Sequence, residues 1–391
     1  MVQTLLHIVF SALAVAVAFV LNGYFWGWLY RTTTEQDETL YFRTRDGWRL
    51  ALHHYRASGN MSGLPVILCH GMGANRYVFD TSPAPSLARF LTRHGRDVWV
   101  PELRGSGMSD RPGLFYSDVP YAWGFDDHVI HDVPAIIGEV RRRTGAASVH
   151  WIGHSMGGML IEAHLASQKE PPVASAVALG APVDFSKMSI VILRILARLR
   201  WSLKLTPLPP MPFNGRLILP VAHKLPRWLI GLFNPPNVDA SVSRRIVALC
   251  SELITSKKLW LDMGRFVDRG TFAPENGKPY LEGLPGSTVP LLIVGGSQDR
   301  VAPPDTVIPA SSAEQGPYKG RCLILGKKTG CVEDYGHLDL MVGLRSEQEV
   351  FPILLAWLTE HDPAVESSEG RCESKEPIEL PDEARTGEPS Q

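Results

Sequence analysis

The first pattern along this chain is a run without charge. From Leu5 to Tyr30 there is no Asp, Glu, Lys or Arg, and roughly 20 apolar residues suffice for a helix to cross the hydrocarbon core of a bilayer. The run ends in Tyr24-Phe25-Trp26-Gly27-Trp28-Leu29-Tyr30, followed by Arg31. Aromatic clusters of this kind sit at headgroup level. Residues 1–33 are therefore expected to form one N-terminal transmembrane anchor. A cleaved signal peptide is the competing reading, because Ala14-Val15-Ala16 and Ala16-Val17-Ala18 resemble cleavage sites. Against it, Met1-Val2-Gln3-Thr4 carries no positive charge and the apolar run continues past both sites. Arg31, Arg43, Arg45 and Arg49 follow the span and no Lys or Arg precedes it. The positive-inside rule thus favours a cytoplasmic location for the rest of the chain.

Beyond the span the pattern changes to short apolar runs punctuated by turn residues. Asp46-Gly47, between two alternating runs, predicts a β-hairpin. Pro65–Cys69 and Asp97–Pro101 read as buried strands, and Ser148–Ile152, Val173–Leu179, Val289–Gly296 and Arg321–Leu325 as further strands. Helices are expected over Asp126–Arg143, closed by Gly145, and over Met156–Ser167 and Gln348–Thr359. Strands alternating with helices predict a mostly parallel sheet with crossovers. The alternation breaks from about 184 to 285. Between Phe185 and Val238 the chain carries eight Lys or Arg and no Asp or Glu. This stretch includes a basic amphipathic segment around Arg194, Arg198, Arg200 and Lys204, of a type that can lie on an anionic membrane surface, and the proline-broken Pro207–Pro212. Residues 34–183 and 286–361 then form the two parts of one core, and 184–285 an inserted helical cap. From Asp362 onward there are nine acidic and three basic residues, so 362–391 is expected to be a disordered acidic tail.

Composition narrows the class. The 391 residues are 45% hydrophobic and 20% charged, with net charge −1. That is a globular balance, and it gives no basic excess for a nucleic-acid partner. Five cysteines, Cys69, Cys250, Cys322, Cys331 and Cys372, show no metal-ligand spacing. They read as free thiols, with a Cys322–Cys331 bridge as the alternative for an exported protein. No cofactor and no metal are implied.

The candidate chemistry is nucleophilic. Gly153-His154-Ser155-Met156-Gly157 matches G-x-S-x-G, lying between a predicted strand and a predicted helix as a sharp, exposed serine turn requires. A hydroxyl needs a base, and His337, in Tyr335-Gly336-His337-Leu338-Asp339, follows the last predicted strand. An acid must orient that imidazole. Asp299, just past the strand ending near Gly296, is preferred over Asp184. Asp334 lies too close along the same loop to be preferred, and His361 adjoins the tail. An oxyanion hole is expected from the backbone amides of Met72 and Met156, after His70-Gly71 at the end of an early strand.

With these residues in place, the chain resembles the α/β-hydrolase family, in particular its acid lipase branch. Leu68-Cys69-His70-Gly71-Met72 resembles the lipase oxyanion segment. Trp123-Gly124-Phe125-Asp126-Asp127, with His131-Asp132-Val133-Pro134-Ala135-Ile136-Ile137, resembles the helix before the nucleophile. Gly336-His337-Leu338-Asp339 resembles the segment around the catalytic histidine. Met156-Gly157-Gly158 is similar instead to bacterial esterases and monoacylglycerol lipases, and the 184–285 insertion departs from the acid lipase lid. The resemblance implies an α/β-hydrolase fold and hydrolysis of carboxylic esters through an acyl-enzyme on Ser155. An anchored enzyme with an apolar cap points to lipid-like esters and to the membrane as a partner. The same triad would serve an acyltransferase or a thioesterase, while a non-catalytic binding module is the reading of another class.

Overall fold

Continuous apolar runs such as Val66–Cys69 and Leu291–Gly296 become strands buried on both faces. In a computed structural model of the chain, residues 2–81, 84–111, 122–187, 231–250, 256–307 and 320–363 are described. Their strands form one eight-stranded sheet in the order β1-β2-β4-β3-β5-β6-β7-β8. The strands are β1 (Glu38–Arg43), β2 (Arg49–Tyr55), β3 (Val66–Cys69), β4 (Val98–Glu102), β5 (Val149–His154), β6 (Val173–Leu179), β7 (Leu291–Gly296) and β8 (Gly320–Leu325). The Asp46-Gly47 hairpin pairs β1 with β2 antiparallel, and β2 is antiparallel to β4. All pairs from β4 through β8 are parallel.

Successive strand residues face opposite sides, and both sides here are covered. Leu291 and Ile293 of β7 enter one core with Trp151, Leu160 and Ile161. Leu292 and Val294 enter the other, beneath α2 (Leu87–Arg93) and the closing helix α7 (Phe351–Glu360). On the first face lie α3 (Val133–Thr144) and α4 (Met156–Ser167). The sequence predicts one helix over 126–143. The structure instead has a helical turn at Phe125–Asp127, a π-helical turn at His128–Asp132 and then α3, which Gly145 caps at φ 72°. The wide turn buries Asp132, which receives Arg104 at 2.6 Å and His128 at 2.7 Å.

The first helix, α1 (Val2–Leu29), is long and apolar enough to cross a membrane by length and composition. Of the insertion between β6 and β7, the described parts include α5 (Ala240–Cys250) and α6 (Lys257–Arg269). The basic segment around Arg194–Lys204 and the Pro207–Pro212 stretch lie outside the described residues. Phe266 of α6 packs edge-on against Phe125 and Phe185, which ties the insertion to the core. Cys69, Cys250, Cys322 and Cys331 form no disulfide.

At the sheet end away from Ser155, Asp362 is docked rather than solvated. Its carboxylate meets Arg96 at 2.6 Å and His150 at 3.1 Å, and accepts the Leu64 amide at 2.9 Å. Burial would raise this carboxyl. The hydrogen bonds from His150, Arg96 and the Leu64 amide outweigh it and hold the group below the ordinary aspartate range. The remainder of the expected acidic tail, from 364, lies outside the described residues.

Candidate active site

β5 ends at His154 and α4 starts at Met156, so Ser155 alone must turn the chain. It does so at φ 54° and ψ −121°, the one non-glycine positive φ among the described residues. Such a conformation costs about 1–3 kcal/mol and persists where its surroundings over-determine it. Here the Ser155 amide donates to the Leu179 carbonyl at 2.7 Å, and the Ser155 carbonyl accepts from Gly158 and Met159 at 2.9 and 3.1 Å. The neighbouring glycines supply space. A Cβ at Gly153 would lie 2.1 Å from the Gly157 carbonyl oxygen, and one at Gly157 would lie 2.3 Å from that of Cys69. Strand and helix therefore approach more closely than any side chain allows, and Ser155 is left partly exposed at the strand ends.

The two other predicted side chains meet there. His337 Nδ1 donates to Asp299 Oδ2 at 2.7 Å, with both side chains buried. The other carboxylate oxygen of Asp299 accepts the amides of Val301 and Ala302 at 2.8 and 2.7 Å. With Nδ1 committed to the acid, the remaining ring nitrogen, Nε2, is the one that can accept a proton. Gly180 lies against the pair: a Cβ there would be 3.3 Å from Asp299 Oδ2 and 3.3 Å from His337 Nδ1. Since the Leu179 carbonyl before it holds the Ser155 amide, one short turn after β6 touches all three residues. His154, next to Ser155, also donates through Nε2 to the His337 carbonyl at 3.2 Å. Burial, with His337 beside it, holds the His154 imidazole well below the ordinary histidine range, so it is neutral.

The alternative acids and the alternative histidine are engaged elsewhere. Asp184 takes the Ser186 amide at 3.0 Å and Lys187 at 3.5 Å. Asp334 accepts Ser297 Oγ at 2.8 Å and the Lys327 amide at 3.0 Å. His361 Nδ1 donates to the Trp357 carbonyl at 2.8 Å.

The predicted oxyanion segment lies beside Ser155. A Cβ at Gly71 would be 2.8 Å from Ser155 Cβ and 3.3 Å from its Oγ. The Gly71 carbonyl accepts His70 Nδ1 at 2.8 Å and the Ala74 amide at 3.3 Å. Because a trans peptide points its carbonyl and N–H in opposite directions, fixing that oxygen also aims the Met72 amide. His70 Nε2 in turn accepts the Leu103 amide at 3.2 Å. Burial pushes the His70 pKa down to about 4, so the ring holds this role uncharged. The Met156 amide opens α4, where the first N–H groups have no partner within the helix.

Two contacts here are absent from the sequence reading. Asp339 Oδ2 accepts the Gly336 amide at 2.8 Å and the Asn234 amide at 2.9 Å, joining the His337 loop to the insertion. Its burial, partly offset by those two amides, raises the carboxyl to about 7, with the Asp299 carboxylate adding to the rise. Asn75, just past the predicted oxyanion segment, donates to the Leu249 carbonyl at 2.7 Å. The Asp339–Asn234 and Asn75–Leu249 bonds join a side chain to backbone more than 100 positions away, and no local pattern encodes them.

A family model for the alpha/beta hydrolase fold matches residues 65–344. Among curated proteins, rat (Rattus norvegicus) gastric triacylglycerol lipase is 26% identical over 362 residues, covering 81% of this chain and 87% of its own length. Lipase 1 of Drosophila melanogaster is 34% identical over 125 residues, covering 31% of this chain and 28% of the fly protein, so the chain spans under a third of that relative. Among solved structures, a thermophilic esterase from Thermogutta terrifontis superposes with a TM-score of 0.54 at 19% identity, over 83% of this chain and 100% of that one.

Proposed function

The chain belongs to the α/β-hydrolase family, and from that premise we propose that it hydrolyses carboxylic esters, lipid-like ones among them, through an acyl-enzyme on Ser155. The observation that carries the reading is the 2.7 Å bond from His337 to Asp299, set beside a serine held at φ 54°. His337 Nε2 takes the proton as Ser155 Oγ attacks the ester carbonyl. The oxyanion forms against the amides of Met72 and Met156. The imidazolium, stabilised by Asp299, then protonates the departing alkoxide and leaves the acyl group on Ser155. Water, deprotonated by the same imidazole, attacks the acyl-enzyme and releases the carboxylic acid, which restores the serine. No step needs a metal or a cofactor.

Two features support lipid-like substrates. Relatives at 26% and 34% identity are named as lipases, and α1 has the length and composition of a membrane span. We read residues 184–285 as a cap over the site, because insertions at the carboxyl ends of parallel strands stand where ligands bind. The test is a p-nitrophenyl ester series of rising chain length, measured with and without detergent micelles, alongside fluorophosphonate labelling. Labelling at Ser155 and a kcat/KM that rises with chain length would support the reading. A preference for acetate would remove its lipid part, and absence of labelling would remove the serine mechanism.

A further inference from the structure

Helix α1 is not joined to the core by a free tether. Trp26 and Tyr30 stack with ring centroids 5.7 Å apart and planes 8° from parallel. Both pack against Val247 and Ala248 of α5, next to Phe233 and Leu249. Arg245 of α5 donates to the Arg31 carbonyl at 3.3 Å, placing a cation at the C-terminal end of α1 where the helix dipole favours one. The residues that follow are also tied down. Arg76 Nε donates to Thr34 Oγ1 at 3.3 Å, and the Glu35 amide donates to Asp80 at 2.7 Å.

The segment that receives α1 braces both loops of the proposed site. At its start, the Leu232 carbonyl accepts the Leu338 amide at 2.9 Å, and Asn234 joins Asp339 and the Asp334 carbonyl at 2.9 and 2.8 Å. The approach is close enough that a Cβ at Gly336 would meet the Asn234 nitrogen at 2.6 Å. At its end, the Leu249 carbonyl holds Asn75 at 2.7 Å. Residues 231–250 thus touch the His337 loop, the Met72 loop and the aromatic end of α1.

We infer that α1 is a working part of the catalytic scaffold: its Trp26–Tyr30 end, seated at headgroup level, holds α5, and through α5 the His337 loop and the Met72 amide. This rests on the serine hydrolase reading above. Trp26, Tyr30 and Asn75 are positioning residues. A simple tether would concentrate enzyme at a lipid surface and change the apparent KM for membrane-borne esters alone. A scaffold role changes kcat for every ester, since small misplacements of catalytic groups cost rate steeply.

The test uses full-length protein in phosphatidylcholine vesicles with water-soluble p-nitrophenyl butyrate. Trp26→Ala/Tyr30→Ala is expected to sediment with the vesicles and to lose roughly tenfold in kcat at unchanged KM, by the same sensitivity to misplacement. Asn75→Ala, with the anchor intact, is expected to lose a similar factor, and the triple variant no more than the larger single loss. Hydrogen exchange gives a second readout, independent of turnover: peptides covering 70–79 and 334–342 should exchange faster in the Trp26/Tyr30 variant. Unchanged kcat together with unchanged exchange overturns the inference and leaves α1 a tether. If the wild type turns over no ester, the hydrolase reading is what fails, and the exchange measurement still decides the coupling.

Discussion

Gly71 and Ser155 approach so closely that a methyl group on Gly71 would lie 2.8 Å from the serine Cβ. The contact sets the distance between the proposed nucleophile and the strand end that offers an oxyanion donor. Gly71→Ala should therefore fold yet lose about 10²-fold in kcat, the cost of an ångström-scale misplacement. Steady-state kinetics and thermal melting on one preparation check this. A variant with native kcat would show that the loop can shift without consequence.

Ser155→Ala should lose on the order of 10⁴-fold or more in kcat, as removal of a triad nucleophile does. The backbone at φ 54° is as strained for Ala as for Ser, so the melting temperature should stay close to wild type. Retention of a tenth of the wild-type rate would reject Ser155 as nucleophile.

Asp299→Asn should lose roughly 10⁴-fold in kcat, because the amide favours the wrong imidazole tautomer. Asp184→Asn should stay within a few-fold, since Asp184 bonds Ser186 and Lys187. Comparable losses in the two variants would point to Asp184 after all.

Asp339 gives a pH signature. Its carboxyl is raised from an ordinary 3.8 to about 7, chiefly by burial. Between those values the folded chain holds a proton that the unfolded chain has released. This group's contribution is therefore complete below about pH 4 and is lost as pH rises toward 7. Asp339→Asn should flatten that slope in a pH series of urea unfolding. A wild-type profile that parallels the variant's between pH 4 and 7 would contradict the assignment.

The fold and the candidate side chains are legible in the sequence because both depend on local pattern. Apolar runs such as Val173–Leu179 become strands with those bounds, and Met156–Ser167 is the helix expected after Ser155. Asp299 stands just after β7, the position that favours it in the sequence, and its Oδ2 accepts His337 Nδ1 at 2.7 Å. What escaped depends on contacts between distant segments. Nothing around Asn75 points to Leu249, and nothing around Asp339 points to Asn234. The π-helical turn at His128–Asp132 has the apolar spacing of an ordinary helix, and its width follows from burying Asp132 against Arg104. Asp362 reads in sequence as the first residue of a disordered tail because its partners, Arg96 and His150, lie over 200 positions earlier.

That docked aspartate gives the chain a functional boundary that composition does not mark. Arg96 is 2% exposed and His150 fully buried, and both meet one carboxylate contributed from beyond the last helix. Cutting after Pro363 would spare it, whereas cutting after His361 would leave the Arg96 guanidinium inside the protein without its carboxylate. Proteolysis that trims the C-terminus residue by residue would thus become abruptly destabilising at the single peptide bond between His361 and Asp362.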